Sequence, residues 1–311
     1  MEDIILDCDP GHDDAIALIL AIYSAKINLL GVTTSAGNQK HSQTLRNAMS
    51  LLTLMHQQSI PIASGNRTPL FRDLISGISV HGVTGLDGTD LPTPNFPSQS
   101  IPATELMAKI ITKNPNKVTI VVTGPCTNLA LFLAVHPELK GSIKRLIIFG
   151  GGMGVGNCDP TTEFNFKADP EAAKIVINAG IPLVLAPLNV GLEAQLFTED
   201  RHAIHRIKNP VAQAVAGLTD FYGLSFDSHW NLEGLPLYDP CTIAWLIDPS
   251  QFSSKNCHVT VETKGELTAG ESIIDYYQIT HQKPNAEVLF HVNRDWFAKL
   301  IIDAVKSFSQ K

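Results

Sequence analysis

Four aspartates, Asp7, Asp9, Asp13 and Asp14, fall within eight residues near the start of the chain, around a Pro10-Gly11 pair. At a frequency of roughly 6% for aspartate, four at fixed positions arise by chance on the order of once in 100,000 start points. Carboxylates crowded this closely repel one another, and a hard cation with oxygen ligands offsets that repulsion. Helix capping is the competing account, since carboxylates stabilise the positive end of a helix, but it covers one or two of the four. Pro10-Gly11 lets the chain reverse sharply enough for Asp9 and Asp14 to face one point. His12, between them, reads as a packing or hydrogen-bonding residue.

The elements that must hold this cluster follow from hydrophobic patterning. Ile4 to Asp9 reads as a short buried strand, and Asp13 to Tyr23 as a packed helix. The alternation continues with strands at Asn28 to Thr34, Val118 to Val122, Arg145 to Phe149 and Pro182 to Ala186. Helices are expected over His41 to His56, Thr104 to Ile111, Asn128 to Val135 and Pro170 to Ala179. Helices return between Thr198 and Trp230, late strands are expected at Cys257 to Glu262 and Glu287 to Val292, and a last helix runs from Asp295. Strands this apolar need cover on both faces, which predicts an α/β fold: an open, mostly parallel sheet with helices on both faces, in a single domain over residues 1–311.

Ligands of such sheets bind at the carboxyl ends of the strands. Four of those ends are polar or glycine-rich here: Asp9-Pro10-Gly11, Ser35-Ala36-Gly37-Asn38, Thr123-Gly124-Pro125 and Gly150-Gly151-Gly152. The stretch from Pro69 to Pro102 is rich in Gly, Ser, Thr, Asp and Pro and reads as a long irregular excursion, of the kind that often forms a lid or binding loop.

The bulk properties exclude several classes of function. With 311 residues, 44% of them hydrophobic, the chain can bury a sizeable core. A net charge of -7 without a long basic run argues against nucleic acid or an anionic membrane as partner. The acidic start at Glu2 and Asp3 lacks the pattern of a signal peptide, and no transmembrane run of about 18 apolar residues occurs. Five scattered cysteines without a CxxC pair fit free thiols in a reducing compartment, so a cytoplasmic protein without structural disulfides is expected.

The segment Asp7-Cys8-Asp9-Pro10-Gly11-His12-Asp13-Asp14 resembles the amino-terminal signature of the inosine-uridine-preferring nucleoside hydrolase family. Further similar motifs follow in family order over nearly the whole chain: Ala36-Gly37-Asn38-Gln39, His81-Gly82 with Gly85-Leu86-Asp87-Gly88, Thr123-Gly124-Pro125 with Thr127-Asn128, and Gly150-Gly151-Gly152. Glu163-Phe164-Asn165 with Asp169-Pro170-Glu171, then Asp239-Pro240-Cys241-Thr242, complete the series. His12 and Pro125 look most like the bacterial pyrimidine-preferring ribonucleoside hydrolases. The resemblance implies hydrolysis of the bond between ribose and nucleobase, with one Ca2+ and a water held by Asp9, Asp14, the Thr123 carbonyl and Asp239. Asp9 would take the proton from that water. Asp13, Asn38, Asn157, Glu163 and Asn165 would bind the ribose hydroxyls, with Phe149 and His81 near the sugar and base. A homo-oligomer, tetramer or dimer, is implied in the same way.

The residue types make independent chemical sense. Ribose hydroxyls both donate and accept, which suits carboxylates and amides, and a sugar that develops positive charge is stabilised by nearby acids. Glu163 and Asn165 lie two apart, so an extended segment would point both to one side. Taken alone, Asn38 and Asn157 each follow a glycine and read equally as turn residues, and Phe149 at a strand end reads more simply as core.

Two departures from the family pattern stand out. A histidine is expected immediately before the last metal-binding aspartate, as the acid that protonates the departing base; here the residue is Tyr238. A phenol of ordinary pKa about 10 is the weaker acid, so His81 and His229 are the other candidates for that role, together with a direct or water-mediated contact from Tyr238. The second departure is Leu188-Asn189-Val190-Gly191, where relatives carry Asp and Thr. Two rival readings follow. One is a nucleoside- or ribose-binding homologue that has lost turnover. The other is a phosphatase of the haloacid dehalogenase type, whose DxD motif Asp7-Cys8-Asp9 mimics, although Gly11 stands where that class wants Thr or Val.

Overall fold

The apolar run that opens the chain forms β1 (Glu2–Cys8), and its side chains alternate between two cores. Ile4, Leu6 and Cys8 enter one core and Ile5 the other, as the period-two geometry of a strand requires. A computed structural model of the protein describes residues 1–226 and 232–308. In it β1 is followed by β2 (Ile27–Thr34), β3 (Ile62–Ser64), β4 (Val118–Val122), β5 (Arg145–Phe149) and β6 (Leu183–Ala186). Then come β7 (Gln195–Leu196), β8 (Leu235–Pro236), β9 (Phe252–Val261), β10 (Ser272–Asp275) and β11 (Ala286–Val292).

Nine of these strands form one sheet in the order β10-β9-β11-β6-β5-β4-β1-β2-β3, while β7 and β8 make a small separate ribbon. Pairing is parallel from β11 through to β3 and antiparallel where β9 meets β11 and β10. The fold is therefore the expected open, mostly parallel α/β sheet covered on both faces. One face is packed by the helices His12–Tyr23, His41–Leu54, Pro240–Ile247 and Arg294–Ser307. The other is packed by Ala103–Lys113, Thr127–Val135 and Pro170–Ile177. Central positions such as Leu6 are fully buried, so truncation to alanine there costs about 2–5 kcal/mol.

Most expected elements lie within a few residues of their predicted bounds. The short strands β3 and β10 were not anticipated: three and four residues carry too little pattern to stand out from a loop. The stretch from Pro69 to Pro102 is irregular as expected, apart from one helical turn, Ile78–His81. All five cysteines are free thiols. Among the described residues, no helix is long and apolar enough to cross a membrane.

Candidate active site

β1 and β4 lie side by side at the centre of the sheet, so Asp9 and Thr123, just beyond their carboxyl ends, become neighbours. Pro10 and Gly11 turn the chain into the helix His12–Tyr23, where Asp14 occupies the third position. The Asp14 carboxylate accepts the backbone N–H groups of Gly11 (2.9 Å) and Asp9 (3.3 Å), so it does cap the helix. It also accepts the Thr123 hydroxyl (2.7 Å) and the Asn38 amide (3.1 Å), which tie three strand ends to one carboxylate.

Asp9 is fully buried. Its Oδ2 accepts the Asn38 backbone N–H at 2.6 Å, while its Oδ1 has no hydrogen-bond partner among the described residues. Two glycines make this seat possible. A Cβ on Gly37 would lie 2.0 Å from Oδ2, and one on Gly124 would lie 2.6 Å from Oδ1. Asp239 arrives from far along the chain at the start of helix Pro240–Ile247, which packs on helix His12–Tyr23. Carboxyl oxygens of Asp13, Asp14 and Asp239 lie within 4.8 Å of one another. This trio shares Asp14 and Asp239 with the expected ligand set, but it contains Asp13 where that set has Asp9.

Such crowding is costly in the absence of positive charge. Burial, followed by repulsion from Asp13, Asp14 and Asp9, pushes the Asp239 carboxyl well above its ordinary range. Burial and Asp14 do the same to Asp9, and they push Asp13 up to about 7. Asp7, counted in the sequence with this cluster, faces elsewhere. Its Oδ1 accepts the Thr33 hydroxyl (2.7 Å) and the Asn128 amide (2.8 Å), tying β1 to β2 and to helix Thr127–Val135 as part of the scaffold.

A cavity of about 910 Å³ opens over these carboxylates. Asp13, Asn38, Thr123, Glu163, Asn165 and Asp239 line its polar part, and Asn157 lies on its rim loop. The segment carrying Glu163 and Asn165 is not extended, as expected, but starts the short helix Phe164–Ala168 with Glu163 as its N-cap. The Glu163 carboxylate accepts the backbone N–H groups of Asn165, Gly151 and Phe166, because a helix start leaves such donors unsatisfied. Burial pushes Glu163 up to about 7. The Asn165 amide donates to the Thr123 carbonyl at 2.7 Å, and Asn157 Oδ1 accepts the Phe164 N–H at 2.9 Å.

Aromatic rings also line the cavity. Phe149 stacks on Tyr238 with centroids 5.5 Å apart, so the strand-end Phe149 is both packed and cavity-lining. His81, on the helical turn Ile78–His81, stacks on His12, and both stack on Tyr222 of helix Pro210–Phe226. His229 lies outside the described residues. Sequence reasoning missed Phe221 and Tyr222, which line the cavity from a helix whose apolar pattern reads as plain core. It also missed Asp87, whose carbonyl lies 2.9 Å from His12 Nε2 and which the Gly85-Leu86-Asp87-Gly88 motif contained.

Known proteins are similar to this chain over nearly its whole length. The family model described as inosine-uridine preferring nucleoside hydrolase matches residues 4–299. A pyrimidine-specific ribonucleoside hydrolase of Shewanella sp. (strain MR-4) is 50% identical over 307 residues, covering 98% of this chain and 96% of that protein. A protein of the same description from Escherichia coli (strain SMS-3-5 / SECEC) is 49% identical over 308 residues, covering 98% of this chain and 99% of the relative. Among solved structures, a purine-preferring ribonucleoside hydrolase from Gardnerella vaginalis superposes with a TM-score of 0.92 at 26% identity, over 99% of both chains. A plant nucleoside hydrolase, PpNRh1, also gives 0.92 at 26% identity, over 98% of this chain and 99% of that one. With a family match that runs from β1 into the last helix and relatives at half identity over almost the full length, this chain is a member of the inosine-uridine preferring nucleoside hydrolase family of enzymes.

Proposed function

We propose that the protein hydrolyses the N-glycosidic bond of ribonucleosides, pyrimidine ribonucleosides foremost, to ribose and free base. The observation that carries this reading is the cavity lining, which brings carboxylates and amides together with aromatic rings. Ribose hydroxyls suit the first and a planar base suits the second. The pyrimidine preference is supported by the descriptions of the relatives at half identity. The family match leaves the phosphatase alternative without support.

Asp9, Asp14, the Thr123 carbonyl and Asp239 would hold a divalent cation, calcium in our reading. The residues fit such an ion in part: Asp14 and Asp239 belong to a trio, with Asp13, whose carboxyl oxygens lie within 4.8 Å of one another, and the buried Asp9 Oδ1 has no protein hydrogen-bond partner among the described residues. Gly37 and Gly124 make room for the Asp9 carboxylate, whose oxygens a Cβ at either position would strike, and an all-oxygen donor set suits a hard cation. When bound, the cation supplies positive charge that keeps the crowded carboxylates ionised and lowers the pKa of a nearby water.

Asp9 is the base in this scheme. Its Oδ2 is fixed by Asn38, which leaves Oδ1 to take a proton from the attacking water. Asp13, Asn38, Asn157, Glu163 and Asn165 bind the ribose hydroxyls. A carboxylate has about four acceptor positions, so Glu163 retains capacity beyond its backbone donors. As the glycosidic bond breaks, its electrons pass to the base nitrogen and positive charge develops on the sugar, where Asp13 and Glu163 stabilise it. Burial holds the Tyr238 phenol well above 10, so Tyr238 stays protonated and acts as a hydrogen-bond donor to the departing base. His81 is held neutral by burial and acts as a hydrogen-bonding partner rather than a charged acid.

The test is release of reducing sugar from uridine, cytidine, inosine and adenosine. Ribose from the pyrimidine nucleosides is the expected result, while tight nucleoside binding without ribose would establish a binding protein instead. Assembly as a dimer or tetramer, and a cytoplasmic location, belong to the same proposal; light scattering of the purified protein checks the first.

A further inference from the structure

We propose that Gly191 seats the Tyr238 ring, and that Tyr238, so placed, forms with Phe149 the wall against which the nucleobase lies. Gly191 belongs to the short helix Leu188–Glu193. A Cβ built on it would fall 2.3 Å from Tyr238 Cδ1, 3.2 Å from Cε1 and 3.3 Å from the Tyr238 Cα. Carbon atoms in comfortable contact lie roughly 3.5–4.0 Å apart, so any side chain at 191 must displace the ring or the main chain next to Asp239. Gly191 does not have a positive φ, so backbone conformation does not call for glycine there. Alanine is the better helix former, and the close approach of Tyr238 is the reason that remains.

The ring has little freedom to move aside. It is buried, stacks on Phe149 at an interplanar angle of 20°, and shares a small apolar cluster with Leu188. Both Tyr238 and Phe149 line the cavity, which carboxylates and amides also line. Aromatic faces attract the planar π face of a base and offer few partners to sugar hydroxyls. Gly191 does not line the cavity, so it is a positioning residue that acts through Tyr238. This assignment rests on the reading of the cavity as a nucleoside site.

A double-mutant cycle with two ligands tests it. Gly191→Ala is expected to raise the KM for uridine about tenfold while the inhibition constant of free ribose, which has no base, stays within about twofold. In a Tyr238→Ala background, where the ring is gone, Gly191→Ala should change the uridine KM by less than about twofold. Equal penalties in both backgrounds, or ribose affinity falling in step with uridine, would overturn the proposal. Should Gly191→Ala fail to fold, Tyr238→Ala alone decides: uridine KM must rise with ribose inhibition preserved. A wild type that binds uridine in a calorimeter but releases no ribose sinks the hydrolytic reading alone, and the wall is then tested by the same comparison of binding constants. A wild type that binds neither ligand sinks both.

Discussion

His12 Nδ1 and His81 Nδ1 lie 2.9 Å apart, so the two rings share one hydrogen bond and leave no room for a second proton between them. Both side chains are buried, and they stack on each other and on Tyr222. Burial holds His12 down at about 4; burial, with repulsion from a charged His12 added, holds His81 well below its ordinary value.

This pair makes the fold sensitive to acid. An unfolded histidine gains its proton near 6.5 and folded His12 only near 4, so between these values the unfolded chain binds more protons. The stabilisation is full above pH 6.5 and is lost as pH falls toward 4, by roughly 3 kcal/mol for His12 alone. Burial raises Asp13 and Glu163 to about 7, which acts in the opposite sense. The His12 contribution is therefore read as a difference in urea unfolding between pH 7.5 and 4: acidification should weaken wild type more, or strengthen it less, than His12→Phe. An unchanged slope in the variant would contradict the assignment.

Asp9→Asn deletes both a ligand charge and the base while keeping the shape of the side chain. Hydrolysis of uridine should fall to less than about a tenth of wild type, with the circular dichroism spectrum unchanged. Activity above that level would place the base elsewhere.

Replacing Tyr238 separates hydrogen bonding from acidity. If the hydroxyl donates to the departing base, Tyr238→Phe lowers kcat and Tyr238→His restores or exceeds it, within the range of about 10²- to 10⁴-fold that proton donation supplies. Equal kcat values for wild type and Tyr238→Phe would remove the hydroxyl from the chemistry.

Cation removal should act on stability as well as on turnover. An ion bound only by the folded protein adds about 2.7 kcal/mol at a hundred times its Kd. Chelation should therefore lower the thermal midpoint and abolish ribose release, with recovery of both on adding Ca2+. A midpoint indifferent to chelator and calcium would argue against a cation among Asp9, Asp14 and Asp239.

The scaffold role of Asp7 is testable in the same assay. Asn128 donates to Asp7 and accepts the Asn66 backbone N–H at 2.8 Å, so Asn128→Ala strands a buried carboxylate and a half-buried N–H. A loss of about 2 kcal/mol in unfolding free energy is expected, with the KM for uridine unchanged.

Residues whose roles are fixed locally were the legible ones. Asp9, Pro10, Gly11 and Asp14 are set by one strand, one turn and one helix start, and their types and spacing already called for converging acids. Asp7 was grouped with them because sequence distance cannot say which side of a strand faces a cavity. Asp239 entered only through resemblance, since nothing local links it to residues more than two hundred positions earlier. Tyr222 carries no local signal, and Gly191 stands out only as part of a segment that departs from the family pattern. An aromatic on an apolar helix reads as core, and a glycine required by a neighbour's ring looks like any other until the ring is located.

The third carboxylate comes from residue 239 and reaches Asp13 and Asp14 only when helix Pro240–Ile247 has settled on helix His12–Tyr23. An emerging polypeptide thus carries a half-built acidic pocket until more than three quarters of it has left the ribosome. Self-repulsion among those acids penalises premature closure, and the last carboxylate to dock arrives together with a helix that packs into one of the two cores.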